Sequence, residues 1–326
     1  MKKALITGVA GQDGPYLAKL LLGKGYEVHG LIRGTASDKS NPRLHKVSHV
    51  LDSIKLHRGD VADYPTMCKL IAKAQPDEVY HLAAIAGIGP SFEDEFGTLK
   101  CNTNGTHYLL SAVKELKPDA KFFFASTSEI FGNAKTSPQN EETPINSTSP
   151  YGISKAAGLN LAKMYREVHK IFACTGIIFN HISPYVDVEF LPRKITLAAA
   201  KIKMGMQKEL RLGNLNVKRD WGFAGDYVEA MQLILNQDKP GDYVIGTGET
   251  HAVREVLDAV FGFVGLDWKK YVVVDEKFVR PAEAFEWRAD ITKIKQVTGW
   301  VPQTDFKSLL KMMVDADLEN LQNNNV

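Results

Sequence analysis

Two groups of residues in this chain are able to do chemistry together. Ser126-Thr127-Ser128-Glu129 follows directly on Phe122-Phe123-Phe124-Ala125, an apolar run that reads as a buried strand. Hydroxyls and a carboxylate therefore stand at a strand's carboxyl end. Further on, Tyr151 and Lys155 fall four apart near the start of a segment that reads as a helix to about His169, which puts both on one helix face. A lysine ammonium near a phenol favours the phenolate and brings a group with an ordinary pKa of about 10 toward working pH. Such a phenol can take a proton from an alcohol or sugar hydroxyl. A hydroxyl residue at the strand end would hold the same oxygen. Taken alone, Tyr-x-x-x-Lys also describes an ordinary surface pair, and a nucleotide site upstream is what separates the two readings.

The elements that must position these groups begin at the first residues. Lys3 to Thr7 reads as a buried strand, and Tyr16 to Lys24 as a helix. Between them Gly8, Gly11 and Gly14 form G-x-x-G-x-x-G, the setting in which a dinucleotide pyrophosphate sits against a helix amino end. The second strand, Glu27 to Ile32, ends without the acidic residue that would bind a ribose 2′-hydroxyl. Arg33 follows it instead, a residue suited to a 2′-phosphate.

The alternation of strand and helix continues through Ile54 to His57, Gly59-Asp60-Val61, a helix around Tyr64 to Ala74, the strand Glu78 to Ala84 and a long helix from about Glu93 to Leu116. With strands at 122 and 173 to 179 this predicts an α/β fold built on a doubly wound parallel sheet, the Rossmann arrangement. Asp60 is placed to meet an adenine amino group, and Ala83 and Ala84 let a cofactor approach the backbone. Each of these is equally well a turn or packing residue. Beyond about residue 180 the rhythm breaks. Helices near Lys194 to Met204, Ala224 to Leu235, Val253 to Val264 and Phe306 to Leu321, with short strands at 210 to 212 and 243 to 245, predict a smaller lobe over the strand ends. The expected division is 1–180 for the dinucleotide domain and 181–326 for the substrate lobe, with segments of the latter free to return to the former.

Composition narrows the function classes. The 326 residues carry a formal net charge of +2 with the signs interspersed, which gives no reason to expect nucleic acid or an anionic membrane as partner. Cys68, Cys101 and Cys174 are odd in number and widely spaced, as free thiols of a reducing cytoplasm are, and form no metal-type pair. No apolar run approaches the roughly 18 residues of a membrane span.

Several motifs in order resemble the extended short-chain dehydrogenase/reductase family, and within it the nucleotide-sugar dehydratases that act on GDP-sugars. They are Thr7-Gly8-x-x-Gly11-Gln12-Asp13-Gly14, Leu82-Ala83-Ala84, Ser126-Thr127-Ser128-Glu129, Tyr151-x-x-x-Lys155, Gly176-Ile177-Ile178-Phe179-Asn180-His181, Arg193-Lys194-Ile195, Arg219-Asp220-Trp221-Gly222, Asp226-Tyr227-Val228-Glu229-Ala230-Met231 and Arg280-Pro281-Ala282-Glu283. The likeness covers nearly the whole chain. It implies an NADP site at Gly8, Gly11, Gln12, Asp13, Gly14, Arg33, Asp60, Val61, Leu82, Ala83, Ala84, Tyr151, Lys155 and His181. It implies catalysis by Thr127, Glu129, Tyr151 and Lys155, and a nucleotide diphosphate held by Asn180, Lys194, Arg219, Arg280 and Glu283. It also implies a homodimer formed through the helices near 93 to 116 and 150 to 169.

Glu129 sets the expected reaction type. Epimerases and reductases of the family transfer hydride at C4 and need only the hydroxyl, tyrosine and lysine. A dehydratase must also take the C5 proton and protonate the departing C6 oxygen, and one carboxyl group can do both. The expectation is an NADP-dependent GDP-sugar 4,6-dehydratase acting on GDP-mannose or a close relative. A GDP-sugar 4-epimerase or reductase is the alternative enzyme, and a cofactor-binding regulatory protein on the same fold the alternative of another class. The chain also departs from the dehydratase pattern. Ile182-Ser183-Pro184-Tyr185-Val186 stands where Glu-Ser-Pro-Arg-Arg is usual, Gly34 replaces an arginine, Phe223 replaces a histidine, and Ile85 to Pro90 is unlike its counterpart. With arginines missing at Gly34 and Val186, the expected tetramer is weak or absent.

Overall fold

The structure, a computed structural model, describes residues 1–34, 44–275, 277 and 286–323. Short strands supply its central layer: β1 (Lys3–Thr7), β2 (Glu27–Ile32), β3 (Lys55–Arg58), β4 (Glu78–His81), β5 (Lys121–Ala125) and β6 (Ala173–Ile178). Together with the strand Asp242–Ile245 they form one seven-stranded sheet, in the order 242–245, β6, β5, β4, β1, β2, β3. Every pairing in it is parallel. Helices cover both faces, which is why β4 and β6 are buried along their whole length and β5 from Phe122 on. The helix α1 (Asp13–Gly23) and the helix Ala224–Leu235 close one face with Leu17, Leu21, Met231 and Ile234. The helix α2 (Tyr64–Ala74) and the helices Gly105–Leu116 and Pro150–Val168 close the other, around Phe122 and Phe124. Strand order reverses between β1 and β4, and a crevice opens outside the carboxyl ends at such a point.

A second core is built wholly from later residues. Ile195 and Ala199 of the helix Leu191–Lys203, Val256 and Val260 of Val253–Phe263, and Leu310 and Met313 of Phe306–Gln322 pack together there. The strand Asp242–Ile245 lies outside that core and pairs with β6, from Asp242 against Thr175 to Ile245 against Ile178. Ile294 and Trp300 likewise pack with α1 and the sheet. The chain thus leaves the Rossmann layer near residue 180 and re-enters it twice.

Two elements differ from the sequence expectation. The helix expected over 93 to 116 is divided into Ile88–Glu93, Glu95–Leu99, a π-helical turn Lys100–Asn104 and Gly105–Leu116. Asp94 makes the first break: its backbone leaves the helical region at φ −138° and ψ 77°, and its carboxylate accepts from the Gly97 N–H at 2.8 Å to start the next helix. The first helix begins at Asp13 rather than Tyr16, so Gly14 lies in its first turn. Among the described residues no helix is long and apolar enough to cross a membrane, and Cys68, Cys101 and Cys174 are free.

Candidate active site

The glycine turn after β1 is shaped by close approach. Gly8 has φ +75°, and a Cβ there would lie 2.9 Å from both the N and Cα of Ala83. The Gly11 N–H donates to the Gly8 carbonyl at 2.8 Å, and a Cβ on Gly14 would fall 2.2 Å from the Val9 carbonyl oxygen. The turn is therefore pressed flat against the end of β4 and against α1. Backbone at the amino end of α1 is left accessible to a phosphate, and this cradle fits a dinucleotide. Gln12 Oε1 is buried with no hydrogen-bond partner among the described residues.

Gln12 and Asp13 do something the motif alone does not indicate. Gln12 Nε2 donates to the His181 carbonyl at 3.1 Å, and His181 Nε2 meets both Asp13 carboxylate oxygens, at 2.9 and 3.0 Å. The other ring nitrogen, Nδ1, donates to the Phe179 carbonyl at 3.0 Å. Burial alone would lower the imidazole, but Asp13, with help from the Phe179 carbonyl, reverses this and raises its pKa. Both nitrogens face acceptors, an arrangement that favours the protonated ring.

On the other side of the crevice, Arg33 Nε lies 3.4 Å from Asp60 Oδ2, and Asp60 Oδ1 accepts from the Ala62 N–H at 2.9 Å. Val61 is buried beneath the helix that starts at Gly105, where a Cβ would lie 2.9 Å from Val61 Cγ2. Leu82 donates its N–H to the Thr7 carbonyl at 3.2 Å and packs into the core. Ala84 is half-buried beside it. Ala83 is fixed by a relay. Thr106 Oγ1 commits its proton to the Asn102 carbonyl at 2.6 Å, so His81 Nε2 donates to Thr106 at 3.1 Å. His81 Nδ1 then accepts from Thr7 Oγ1 at 2.7 Å, and Thr7 Oγ1 accepts from the Ala83 N–H at 3.2 Å. Burial, with the charge of Lys155, pushes the His81 imidazole down to about 3, so the ring stays neutral and the relay keeps one direction.

Thr127 and Glu129 reach Tyr151 because two backbones touch. Thr127 caps the short 3₁₀ turn Ser128–Phe131 by accepting from the Glu129 N–H at 3.3 Å. Ser149 caps the helix Pro150–Val168 by accepting from the Gly152 N–H at 3.1 Å, with Pro150 in the first turn. A Cβ on Gly152 would lie 2.7 Å from the Glu129 carbonyl oxygen, so glycine there is what lets the turn rest on the helix start. Beside the larger raising effect of burial, Thr127 lowers the pKa of the Tyr151 phenol and the charge of Glu129 raises it.

Lys155 Nζ donates to the Ala125 carbonyl at 2.7 Å and stands 6.0 Å from the Tyr151 ring centroid. The pair shares a helix face as its spacing predicts, but the electrostatic expectation is corrected. Burial is the largest influence on the phenol and raises its pKa, and Glu129 raises it further against the lowering by Thr127. Burial also pushes Lys155 down to about 8, so its ammonium alone does not produce a phenolate.

Asn102 was not legible as part of this site. In the π-helical turn its side chain is buried. Oδ1 accepts from the Ile85 N–H at 2.8 Å, and Nδ2 donates to the Ile85 carbonyl and to Ser154 Oγ, both at 3.0 Å. Ser154 Oγ in turn donates to the Tyr151 carbonyl at 2.7 Å. One amide thus ties the segment after β4 to the helix carrying Tyr151. The only sequence signal was Ser154, three residues beyond Tyr151 and so on the same face.

Of the residues expected to hold a diphosphate, Arg219 is buried with its guanidinium carbon 4.8 Å over the Trp287 ring, and Nη1 donates to the Lys218 carbonyl at 2.8 Å. Lys194 Nζ donates to the Arg211 carbonyl at 2.9 Å, and burial lowers its pKa. Asn180 Oδ1 is buried with no partner among the described residues. Arg280 and Glu283 lie outside the described residues. Val186, at a family arginine position, is buried in the second core.

Comparison with known proteins follows this geometry. The family model described as GDP-mannose 4,6 dehydratase matches residues 5–313. The chain is 48% identical to GDP-mannose 4,6 dehydratase 2 of Arabidopsis thaliana, over 98% of this chain and 87% of that protein. It is 41% identical to the GDP-mannose 4,6 dehydratase of Homo sapiens, over 98% of this chain and 92% of the other. Its fold is similar to that of a dTDP-glucose 4,6-dehydratase from Streptomyces venezuelae, with a TM-score of 0.86, 24% identity and 98% of each chain covered. With a continuous match from β1 into the last long helix, the chain belongs to the GDP-mannose 4,6-dehydratase family.

Proposed function

We propose that this member of a family of GDP-sugar 4,6-dehydratases divides its reaction between Tyr151 and Glu129 and works with NADP. The reaction is loss of water from a GDP-sugar to give the 4-keto-6-deoxy sugar, a hydro-lyase reaction. GDP-mannose is the substrate, by the names of the relatives at 48 and 41% identity. The observation that carries the division of labour is that the turn capped by Thr127 and bearing Glu129 rests on the start of the helix bearing Tyr151, where the Glu129 carbonyl meets Gly152.

Gly8, Gly11, Gly14 and Ala83 would hold the dinucleotide by backbone approach, and His181 and Lys155 would lie along it. When bound, oxidised nicotinamide carries positive charge and accepts hydride from C4, which returns at C6. Tyr151 would take the O4 proton as its phenolate, a form that the positive charge of the bound oxidised nicotinamide and of Lys155 together would favour against burial, while Thr127 holds O4, and Tyr151 would give a proton back to C5 as hydride arrives at C6. Glu129 removes the C5 proton, and the same carboxyl group protonates the C6 oxygen as the C6–O bond breaks and water leaves. Arg33 after β2, with no acidic residue ending that strand, supports NADP over NAD. Arg219, Lys194 and Asn180 supply cations and an amide for the diphosphate. Free cysteines and the absence of a membrane-crossing helix among the described residues support a cytoplasmic location.

The test is isotopic. GDP-mannose deuterated at C4 should give product carrying that deuterium at C6, with a solvent proton at C5 and no net consumption of nicotinamide. Return of the deuterium to C4 with inverted configuration would replace this reading with the epimerase one.

A further inference from the structure

A cleft of about 300 Å³ opens beside the ends of β2 and β3, lined by Arg33, Asp60, Asp63, Asp94, Lys100 and Cys101 among others. It adjoins the glycine turn through the segment after Ala83. In a doubly wound sheet the adenosine half of a dinucleotide lies on this side of the phosphate turn. We propose that Lys100 completes, with Arg33, the recognition site for the phosphate on the adenosine 2′-oxygen, an inference that rests on the NADP reading above.

Charge balance in the cleft makes the case. Three carboxylates and two cations line it, a net charge of −1 before any ligand arrives. Each carboxylate is committed to local structure. Asp63 caps α2 by accepting from the Thr66 N–H at 3.0 Å and from the Thr66 hydroxyl. Asp94 caps the helix Glu95–Leu99 through the Gly97 N–H, and Asp60 accepts from the Ala62 N–H. Arg33 lies 3.4 Å from Asp60, so its charge is partly neutralised where it stands. A 2′-phosphate, close to a dianion at neutral pH, would meet a lining of net charge −2 if Arg33 were the sole cation, against −1 with Lys100 beside it. Lys100 supplies the second cation.

The local backbone explains how Lys100 comes to be there. It opens the π-helical turn Lys100–Asn104, and insertions of this kind recur at functional sites because they re-aim side chains. Asn102 is pinned inward by Ile85 and Ser154, while Lys100, two residues earlier, is exposed on the cleft. The same turn thus orders the catalytic helix with one side chain and reaches the cofactor's far end with another.

Titration calorimetry of the nucleotide-free protein with NADP⁺ and NAD⁺ tests the assignment, on wild type, Lys100→Met, Lys100→Arg and Arg33→Ala. Wild type should prefer NADP⁺ by at least tenfold. Lys100→Met should weaken NADP⁺ by roughly 10- to 100-fold, the range for a hydrogen bond to a charged group, and leave NAD⁺ within about twofold. Lys100→Arg should keep most of the NADP⁺ affinity. The wild-type preference should shrink as salt rises, as expected for partly exposed charges. Equal wild-type affinities would overturn the NADP reading itself. A wild-type preference that survives intact in Lys100→Met would leave that reading standing and overturn the role of Lys100.

Discussion

Asp13 and His181 stand 168 residues apart in the chain and meet carboxylate to imidazole at 2.9 and 3.0 Å, joining the turn after β1 to the segment after β6. The carboxylate, aided by the Phe179 carbonyl, outweighs burial and raises the His181 pKa above its ordinary 6.5. A raised folded-state value means the pair stabilises fully below pH 6.5 and that this contribution is lost as pH rises through the folded-state value. Asp13→Asn should bring the His181 value, read by NMR, back below 6.5, because burial then acts unopposed. It should also flatten the fall of melting temperature with rising pH above neutrality. An unchanged His181 titration in that variant would refute the pairing.

Glu129 separates water loss from hydride transfer. Glu129→Gln keeps the size but cannot accept the C5 proton, so dehydration should fall by roughly 10² to 10⁴. Hydride removal at C4 should survive as transient absorbance of reduced nicotinamide in stopped flow. Tyr151→Phe should suppress both signals. Undiminished dehydration in Glu129→Gln would remove the carboxylate from the mechanism.

Gly8 is held at φ +75° against Ala83. Gly8→Ala adds a left-handed strain of about 1–2 kcal/mol to a backbone clash, and should lower the melting temperature by several degrees in a domain of this size. Cofactor retained on purification should be lost. A Gly8→Ala protein with wild-type melting temperature and cofactor content would show that the turn has room to spare.

The helices Glu95–Leu99 and Pro150–Val168 leave an apolar surface that a homodimer would cover. Phe96 is 88% exposed and Ile153 51% exposed, on the helices Glu95–Leu99 and Pro150–Val168 that pack on each other. Phe96→Glu combined with Ile153→Glu should convert a dimer to a monomer in sedimentation equilibrium with little change in circular dichroism. A dimer that persists in the double variant would place the interface elsewhere. With Val186 turned into the second core, no concentration-independent tetramer is expected.

What the sequence made legible was local. Gly8, Gly11 and Gly14, the hydroxyls after Phe122 to Ala125, and Tyr151 with Lys155 all announce themselves by spacing, because each depends on residues within a turn or two. Pairings across the fold leave no such trace. Asn102 to Ser154, Gln12 to His181 and Arg219 over Trp287 are ordinary polar or aromatic residues until the sheet brings them together. The sign of the Tyr151 shift was misjudged for a related reason. Helical spacing gives the distance of a charge but not the burial around it, and here burial dominates. The broken helix at Asp94 escaped because apolar periodicity continues across the cap.

The strand Asp242–Ile245 has a consequence for the order in which this chain can be made. Until residue 245 has been synthesised, β6 is an unprotected sheet edge, fully buried in the finished protein and therefore without the charges that usually guard such edges. The nascent amino-terminal half is in that sense adhesive, and it waits on about 65 further residues, taken from the chain numbering, before its last strand can dock. A gene fragment ending near residue 180 should give insoluble material, because the edge of β6 is then left uncovered, whereas the whole chain covers it with Asp242–Ile245.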